Sequence, residues 1–307
     1  MDFLFYNVEN LMDIHDNPNK RDNDFTPNGR YAWSKERYEK KLHDLADVIS
    51  NYNGSKTPDM LGLCEVENYQ VVLDLINQPQ LRDEEYQIIH AESDDQRGID
   101  ICFIYKKKSF NYSTHKLINI DRHARNKLHS RDIMVIKGSL PNGSELFIMI
   151  NHWPSRYDGE KLTRYKRAAA AQTLMEEING IYTLEENPKI IICGDFNDDP
   201  PSYSLNRILK AGKKAKHPGQ LVNLAWKEFE QKNGTILHDE HWYMFDQFVV
   251  SYSMYKRVVD HEMHIVKTDK TIYHSRKNNN TKPNRTFLRE TYTGGVSDHL
   301  PVWISFE

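Results

Sequence analysis

The chain has 307 residues, 38% hydrophobic, 28% charged and 11% aromatic, too apolar and aromatic for a disordered polymer and long enough to bury a real core. Lys and Arg number 41 against 44 Asp and Glu, a net charge of −3, so no global basic field marks a nucleic-acid binder and local charge must be read instead. No stretch approaches the roughly 18 apolar residues of a membrane helix, and with a mean hydropathy of −0.75 a soluble globular protein without membrane insertion is expected.

The opening residues, Met1 to Asn10, carry neither the basic segment nor the apolar stretch of a signal peptide. A cytoplasmic protein is the expectation, with a secreted form whose leader has been trimmed as the alternative. Phe3 to Asn7 is the first of nine short runs rich in Ile, Val, Phe and Tyr that read as strands. The others are Met60 to Glu65, Tyr86 to His90, Ile99 to Tyr105, Ile133 to Lys137, Leu146 to Asn151, Lys189 to Asp195, Phe248 to Ser251 and Pro301 to Phe306. Between them, Ser34 to Ser50 places Tyr38, Leu42, Leu45, Val48 and Ile49 at helical spacing, and Glu160 to Tyr182 does the same with Leu162, Tyr165, Ala169, Leu174, Ile178 and Ile181. Pro141-Asn142-Gly143-Ser144 joins two runs as an antiparallel hairpin would. Strands with hairpins and a few long helices predict an α+β fold, two mainly antiparallel sheets packed face to face with helices outside. Without repeats or long linkers, residues 1–307 read as one domain. Cys64, Cys102 and Cys193 each lie in a strand-like run with no C-x-x-C spacing. They read as buried thiols, which favours a reducing compartment and argues against a zinc–cysteine site.

Six short apolar runs end or begin at a residue type that can bind metal or move protons. Phe3 to Tyr6 leads into Asn7 and Glu9, Leu61 to Cys64 into Glu65, Ile148 to Asn151 into His152, and Ile190 to Gly194 into Asp195 and Asn197. Tyr243 to Phe245 precedes Asp246, and Asp298 and His299 precede the last strand. One such coincidence means nothing, but six predict a single rim where polar groups converge. Hard oxygen donors without cysteine suit Mg²⁺, with Mn²⁺ or Ca²⁺ as alternatives. Paired His and Asp suit proton transfer, and together they fit metal-assisted displacement at phosphorus. No glycine loop of the ATP-binding type is present.

At these residues the chain resembles the endonuclease/exonuclease/phosphatase superfamily, whose fold is that of pancreatic deoxyribonuclease, a four-layer sandwich. Tyr6-Asn7-Val8-Glu9-Asn10-Leu11, Leu63-Cys64-Glu65-Val66-Glu67, Asn151-His152-Trp153-Pro154-Ser155, Gly194-Asp195-Phe196-Asn197-Asp198, Phe245-Asp246-Gln247-Phe248 and Ser297-Asp298-His299-Leu300-Pro301-Val302 follow the family's order. The resemblance implies that Glu65 is the principal metal ligand, with Asn7, Glu9 and Asp298 completing a hydrated shell. It implies that Asp195 activates or aligns water, oriented by Asn197, and that His299 binds phosphate or transfers a proton, held by Asp246. Which of Asp195 and His299 takes the proton stays open. His152 is implied to stabilise charge on the phosphate or to protonate the leaving oxygen, against the plainer reading of a packed rim histidine.

Three basic clusters accompany the motifs. Arg122, Arg125, Lys127 and Arg131 stand without an acid. Lys267, Lys270, Arg276, Lys277, Lys282, Arg285 and Arg289 oppose only Asp269 within their segment, and Lys210, Lys213, Lys214 and Lys216 form the third. Solvated loops and phosphate-binding loops are both open readings. Arg131, Arg97 and Arg156 are the candidates for phosphate contact, since a guanidinium can grip phosphate oxygens in a bidentate way. The motifs lack the tyrosine of apurinic-site enzymes and the arginine of inositol phosphatases, and the whole looks most like the uncharacterised bacterial branch of the superfamily. The expectation is a monomeric, divalent-metal-dependent phosphodiesterase, foremost a nuclease on DNA or RNA. The alternatives are an esterase for a small phosphorylated metabolite or lipid head group and, last, a non-catalytic binding module.

Overall fold

The computed structural model describes every residue except 55, 125 and 275–279, so Arg125, Arg276 and Lys277 of the basic clusters lie outside the described residues. Four strands, β1 (Asp2–Leu11), β2 (Met60–Val66), β3 (Tyr86–Ala91) and β4 (Asp100–Lys106), belong to a six-stranded sheet. Its spatial order is His264–Ile265, Val302–Ser305, β1, β2, β4, β3. The next four, β5 (Asn111–Ile118), β6 (Ile133–Ser139), β7 (Glu145–His152) and β8 (Ile190–Asp195), open a seven-stranded sheet that continues with Asp246–Ser251, Leu221–Asn223 and Ala211–Gly212. Most neighbours are antiparallel, as expected, and the Pro141–Ser144 turn joins β6 to β7 in a hairpin pairing Met134 with Ile150. The central pairs β1/β2 and β7/β8 are parallel.

β1 is almost wholly buried because both of its faces are covered. Phe3 and Phe5 enter the core between the sheets with Phe103, Ile148 and Phe248. Leu4 and Tyr6, on the opposite face, meet Leu42 and Leu45 of α1 (Lys35–Asn51), a layer that also takes Val72 and Leu75 of α2 (Tyr69–Ile76). On the far side, Val135 and Met149 pack against Leu174 and Ile178 of α3 (Glu160–Leu184). Helix, sheet, sheet, helix: the sandwich has its four layers, and strands buried on both faces read as continuous apolar runs rather than alternating ones. α1 starts where Ser34 caps it, the hydroxyl accepting the Arg37 amide proton. Among the described residues no helix is long and apolar enough to cross a membrane. All three cysteines are free and buried, as the apolar runs around them imply.

The parallel pairs build the rim. Because β1 and β2 run together, Asn7 lies beside Cys64 and next to Glu65; because β7 and β8 do, His152 lies opposite Asp195. The antiparallel strand Asp246–Ser251 begins where β8 ends, putting Asp246 opposite Asp195. Val302 pairs with Phe5, so His299, three residues earlier, comes to the same edge.

One buried pair away from this rim carries a pH-dependent cost. Asp100 and His90 lie on neighbouring strands with the carboxylate 3.6 Å from the imidazole Nε2, both almost fully buried. Burial, reinforced by Glu92, pushes the Asp100 carboxyl up to about 7, and burial lowers the His90 imidazole. A raised carboxyl binds its proton more tightly folded than unfolded, so this group costs stability as pH climbs from about 4 towards 7. Asp100→Asn is therefore expected to raise stability by about 1–3 kcal/mol at pH 8 and by much less at pH 4. Thermal melts at the two pH values measure it; equal shifts would show that the carboxyl is not protonated in the fold.

Candidate active site

Three site residues hold backbone conformations that side chains disfavour: φ is +49° at Glu9, +65° at Glu65 and +50° at Asn197. The pairing slips beside the first two, between Asn7 and Leu11 in β1 and between Cys64 and Val66 in β2. Such bulges re-aim side chains at the end of a strand. Hydrogen bonds hold each of them. Glu65 accepts the Asn10 amide at 3.0 Å and the Asn7 side-chain amide at 3.4 Å. Glu9 accepts the amides of Thr286 at 2.6 Å and Phe287 at 3.4 Å. Asn197 donates its side-chain amide to the Trp153 carbonyl at 3.0 Å and its backbone amide to Asp195 at 2.9 Å. Gly194 completes this turn by necessity, since a Cβ there would lie 2.2 Å from the Asn151 carbonyl oxygen.

Asp195 is the meeting point. Its Oδ2 accepts from Asn7 Nδ2 at 3.1 Å and lies 3.6 Å from His152 Nε2 and 3.9 Å from His299 Nε2. His299 in turn shares a 2.7 Å hydrogen bond between Nδ1 and Asp246 Oδ2. Ser297 fastens this end by donating to the Asn7 carbonyl and accepting the His299 amide. Burial pushes the Asp195 carboxyl up to about 7, with Asp246 and Glu65 adding to the rise and His299 opposing it. Burial works against a charged His299, but Asp246 and Asp195 outweigh it and raise the ring well above its ordinary value. His152 goes the other way: burial, then the charges of Arg131 and Arg97, hold it neutral. Two imidazoles thus face a single buried carboxyl group, and their surroundings push them apart, His299 up and His152 down.

A metal would meet oxygen donors. Glu65, Glu9, Asp298 and Asn7 are grouped around β1 and β2, while the Cys64 thiol is turned into the core between the sheets. Burial first, and then the charge of Asp298, raise Glu9 to about 7, with Lys41, the Thr286 amide and Arg285 opposing the rise. That donor set fits a hard divalent cation. A second grouping of possible ligands, Asp195, Asp246 and His299, brings its atoms within 4.8 Å. His299, however, holds a proton on each nitrogen when charged and then has no lone pair to offer.

Of the three arginines expected at the phosphate, Arg97 is half-exposed and pairs with Asp95 at 3.0 Å. Arg131 is buried, pairing with Asp95 at 2.7 Å and donating to the Trp153 carbonyl at 2.9 Å, with its Nε unpartnered. Arg156 is bound elsewhere: it donates to the Asn197 carbonyl at 2.7 Å and to Asp198 at 2.8 Å, and lies over the Phe245 ring. It braces the Asp195 turn, together with Arg167, 2.8 Å from Asp198. Sequence reasoning missed Lys41, which is buried and donates to the Glu9 carbonyl and the Thr286 hydroxyl, each at 2.6 Å. It sits one residue before Leu42 on the apolar face of α1, and that position was the available signal. Thr235 was missed too; its hydroxyl accepts the Asp246 amide at 3.1 Å.

Comparison with known proteins agrees with this architecture. No curated protein matches the chain in sequence. Among solved structures it is similar to the human Nocturnin catalytic domain with bound sulfate anion, at 16% identity and a TM-score of 0.60, covering 100% of this chain and 94% of that one. It is similar to truncated Caenorhabditis elegans TDP2, at 14% identity and 0.59, covering 99% and 96%. It is also similar to the mannosyl-6-phosphatase of Bacteroides thetaiotaomicron, at 17% identity and 0.59, covering 100% and 99%. At such identities these likenesses speak for the fold. The Endonuclease/Exonuclease/phosphatase family model, however, matches residues 3–307 of the sequence itself, and with the rim those strands build, the chain belongs to that family, whose members hydrolyse phosphate esters.

Proposed function

We propose that this protein is a Mg²⁺-dependent phosphodiesterase and, within that class, a nuclease. The observation that carries the reading is the geometry around Asp195, whose Oδ2 lies 3.6 Å from His152 Nε2 and 3.9 Å from His299 Nε2, with hard donors beside it. Glu65, Asn7, Glu9 and Asp298 would hold the cation, which supplies electrostatic stabilisation of phosphoryl oxygens. Asp195, oriented by Asn7 and Asn197, aligns the attacking water and accepts its proton at Oδ2. His299, kept charged by Asp246, donates from Nε2 to a phosphoryl oxygen. His152, held low by burial, donates a hydrogen bond to the leaving oxygen as the bond from that oxygen to phosphorus breaks, and the departing oxygen takes its proton from solvent water.

A second reading, an esterase for a small phosphorylated metabolite, has its own support. Much of the local basic charge is already paired: Lys270 with Asp47 at 3.2 Å, Arg285 with Asp298 at 2.8 Å and Lys127 with Asp94 at 2.7 Å. Structural relatives point both ways, one being a TDP2 complexed with a single-strand DNA product and another a mannosyl-6-phosphatase. Hydrolysis of bis(p-nitrophenyl) phosphate is expected to exceed that of p-nitrophenyl phosphate in Mg²⁺, with plasmid DNA or RNA cleaved and all turnover lost in excess EDTA. Turnover of the monoester alone would put the second reading first, and full activity in EDTA would end both.

A further inference from the structure

Beside the His299 end of the rim lies a cavity of about 300 Å³ whose walls include Trp242, Lys232, Asn233, Lys267 and His274, with Asp269 as one acid against the two lysines. Its walls are tied to the residues that follow His299. The Leu300 amide donates to the Thr235 carbonyl at 2.7 Å, and the Val266 amide to the Pro301 carbonyl at 2.8 Å. Gly234 and Lys267, the chain neighbours of Thr235 and Val266, line the cavity. Ile236, in the same hairpin as Trp242, forms a β-bridge with His299. Backbone bonds therefore fix this cavity against the His299–Asp246 pair, yet the proposed chemistry uses none of its side chains.

The lining suits one kind of neighbour to a phosphate. An indole offers a flat face on which any base can stack, and ammonium groups meet phosphate oxygens as point charges. Lys267 donates to Asn233 Oδ1 at 3.2 Å, which holds its ammonium at the wall; Lys232 is an exposed second one. The volume lies at the small end of ligand sites, room for one ring system and its sugar, not for a run of stacked bases. Resting on the phosphodiesterase reading, we propose that this cavity takes the nucleotide next to the scissile phosphate, its base on Trp242 and its outer phosphate between Lys232 and Lys267.

Binding without turnover tests it. With a labelled single-stranded oligonucleotide in excess EDTA, Trp242→Ala should weaken binding at least about fivefold, and Trp242→Phe should restore most of the loss. The double variant Lys232→Ala/Lys267→Ala should flatten the dependence of log Kd on log salt by one to two phosphate contacts. In turnover, Trp242→Ala should raise KM for the oligonucleotide more than it lowers kcat. The lysine variant keeps the test readable should Trp242→Ala loosen its hairpin, because both lysines are exposed. Unchanged affinity and salt slope in folded variants would overturn the proposal. So would an effect of Trp242→Ala confined to hexose or pentose phosphates, which would make the occupant a sugar. Failure of the wild type to hydrolyse bis(p-nitrophenyl) phosphate would overturn the phosphodiesterase reading instead, and the EDTA measurement would still decide the cavity.

Discussion

Glu65→Gln is expected to lower divalent-cation affinity at least tenfold and turnover at least about a hundredfold, while leaving the melting temperature within a few degrees of the wild type. The amide keeps an oxygen for the Asn10 backbone proton, 3.0 Å away in the native chain, so the +65° backbone at this position stays anchored. What the substitution removes is the charge. A hard, mostly hydrated cation is held by few protein oxygens, and of the other proposed carboxylate ligands Asp298 is paired with Arg285 at 2.8 Å and Glu9 has its carboxyl raised by burial to about 7. Glu65→Ala should lose the same affinity and also some stability, because it frees the Asn10 amide at a strained turn. Calorimetric titration with Mn²⁺ and Mg²⁺, alongside thermal melts, separates the two effects. Undiminished cation affinity in Glu65→Gln would move the metal away from this strand end.

Much of this site was legible in the sequence because a parallel or antiparallel register is local information repeated. Each buried strand announces itself by an apolar run, and the residue where polarity resumes marks the rim; Glu65, His152 and Asp195 were found that way. β5 was not, because an edge strand whose residues Asn111 to Lys116 are exposed carries no apolar run, and its partner β6 supplies the order. Charge pairing was the other blind spot. Arg156 and Arg285 look alike in sequence, free cations near a motif, yet each is neutralised by an acid that only the fold brings near: Asp198 across the loop and Asp298 across a hairpin. The charge of a loop segment therefore overstates the field a substrate meets, as Lys270 with Asp44 at 2.6 Å illustrates. Lys41 shows the converse. A lysine on an amphipathic helix reads as solvated, but this one is drawn under the rim by two oxygen acceptors.

The second large effect concerns the groups that face one another across Asp195. Asp195→Asn and His299→Ala should each lower kcat by two or more powers of ten with little change in KM, since a proton acceptor and a preorganised cation act mainly in the transition state. Asp246→Asn should cost less than His299→Ala. The asparagine still accepts the Nδ1 proton across the 2.7 Å bond, so the ring keeps its orientation, but the carboxylate that raises its pKa is gone. His299 should then lose its proton at a lower pH, and the alkaline limb of the kcat profile should move down with it. That displacement is what distinguishes a charge held for the chemistry from a bond held for the fold, because a purely structural Asp246 would lower Tm and leave the limb in place. Pairing the variants completes the test: if His299 acts through its contact with Asp246, the double variant Asp246→Asn/His299→Ala should be no slower than His299→Ala alone. Additive losses would mean that the two residues work independently, and that the orphaned Oδ1 of Asp246, rather than the oxygen bonded to the ring, is where its contribution lies.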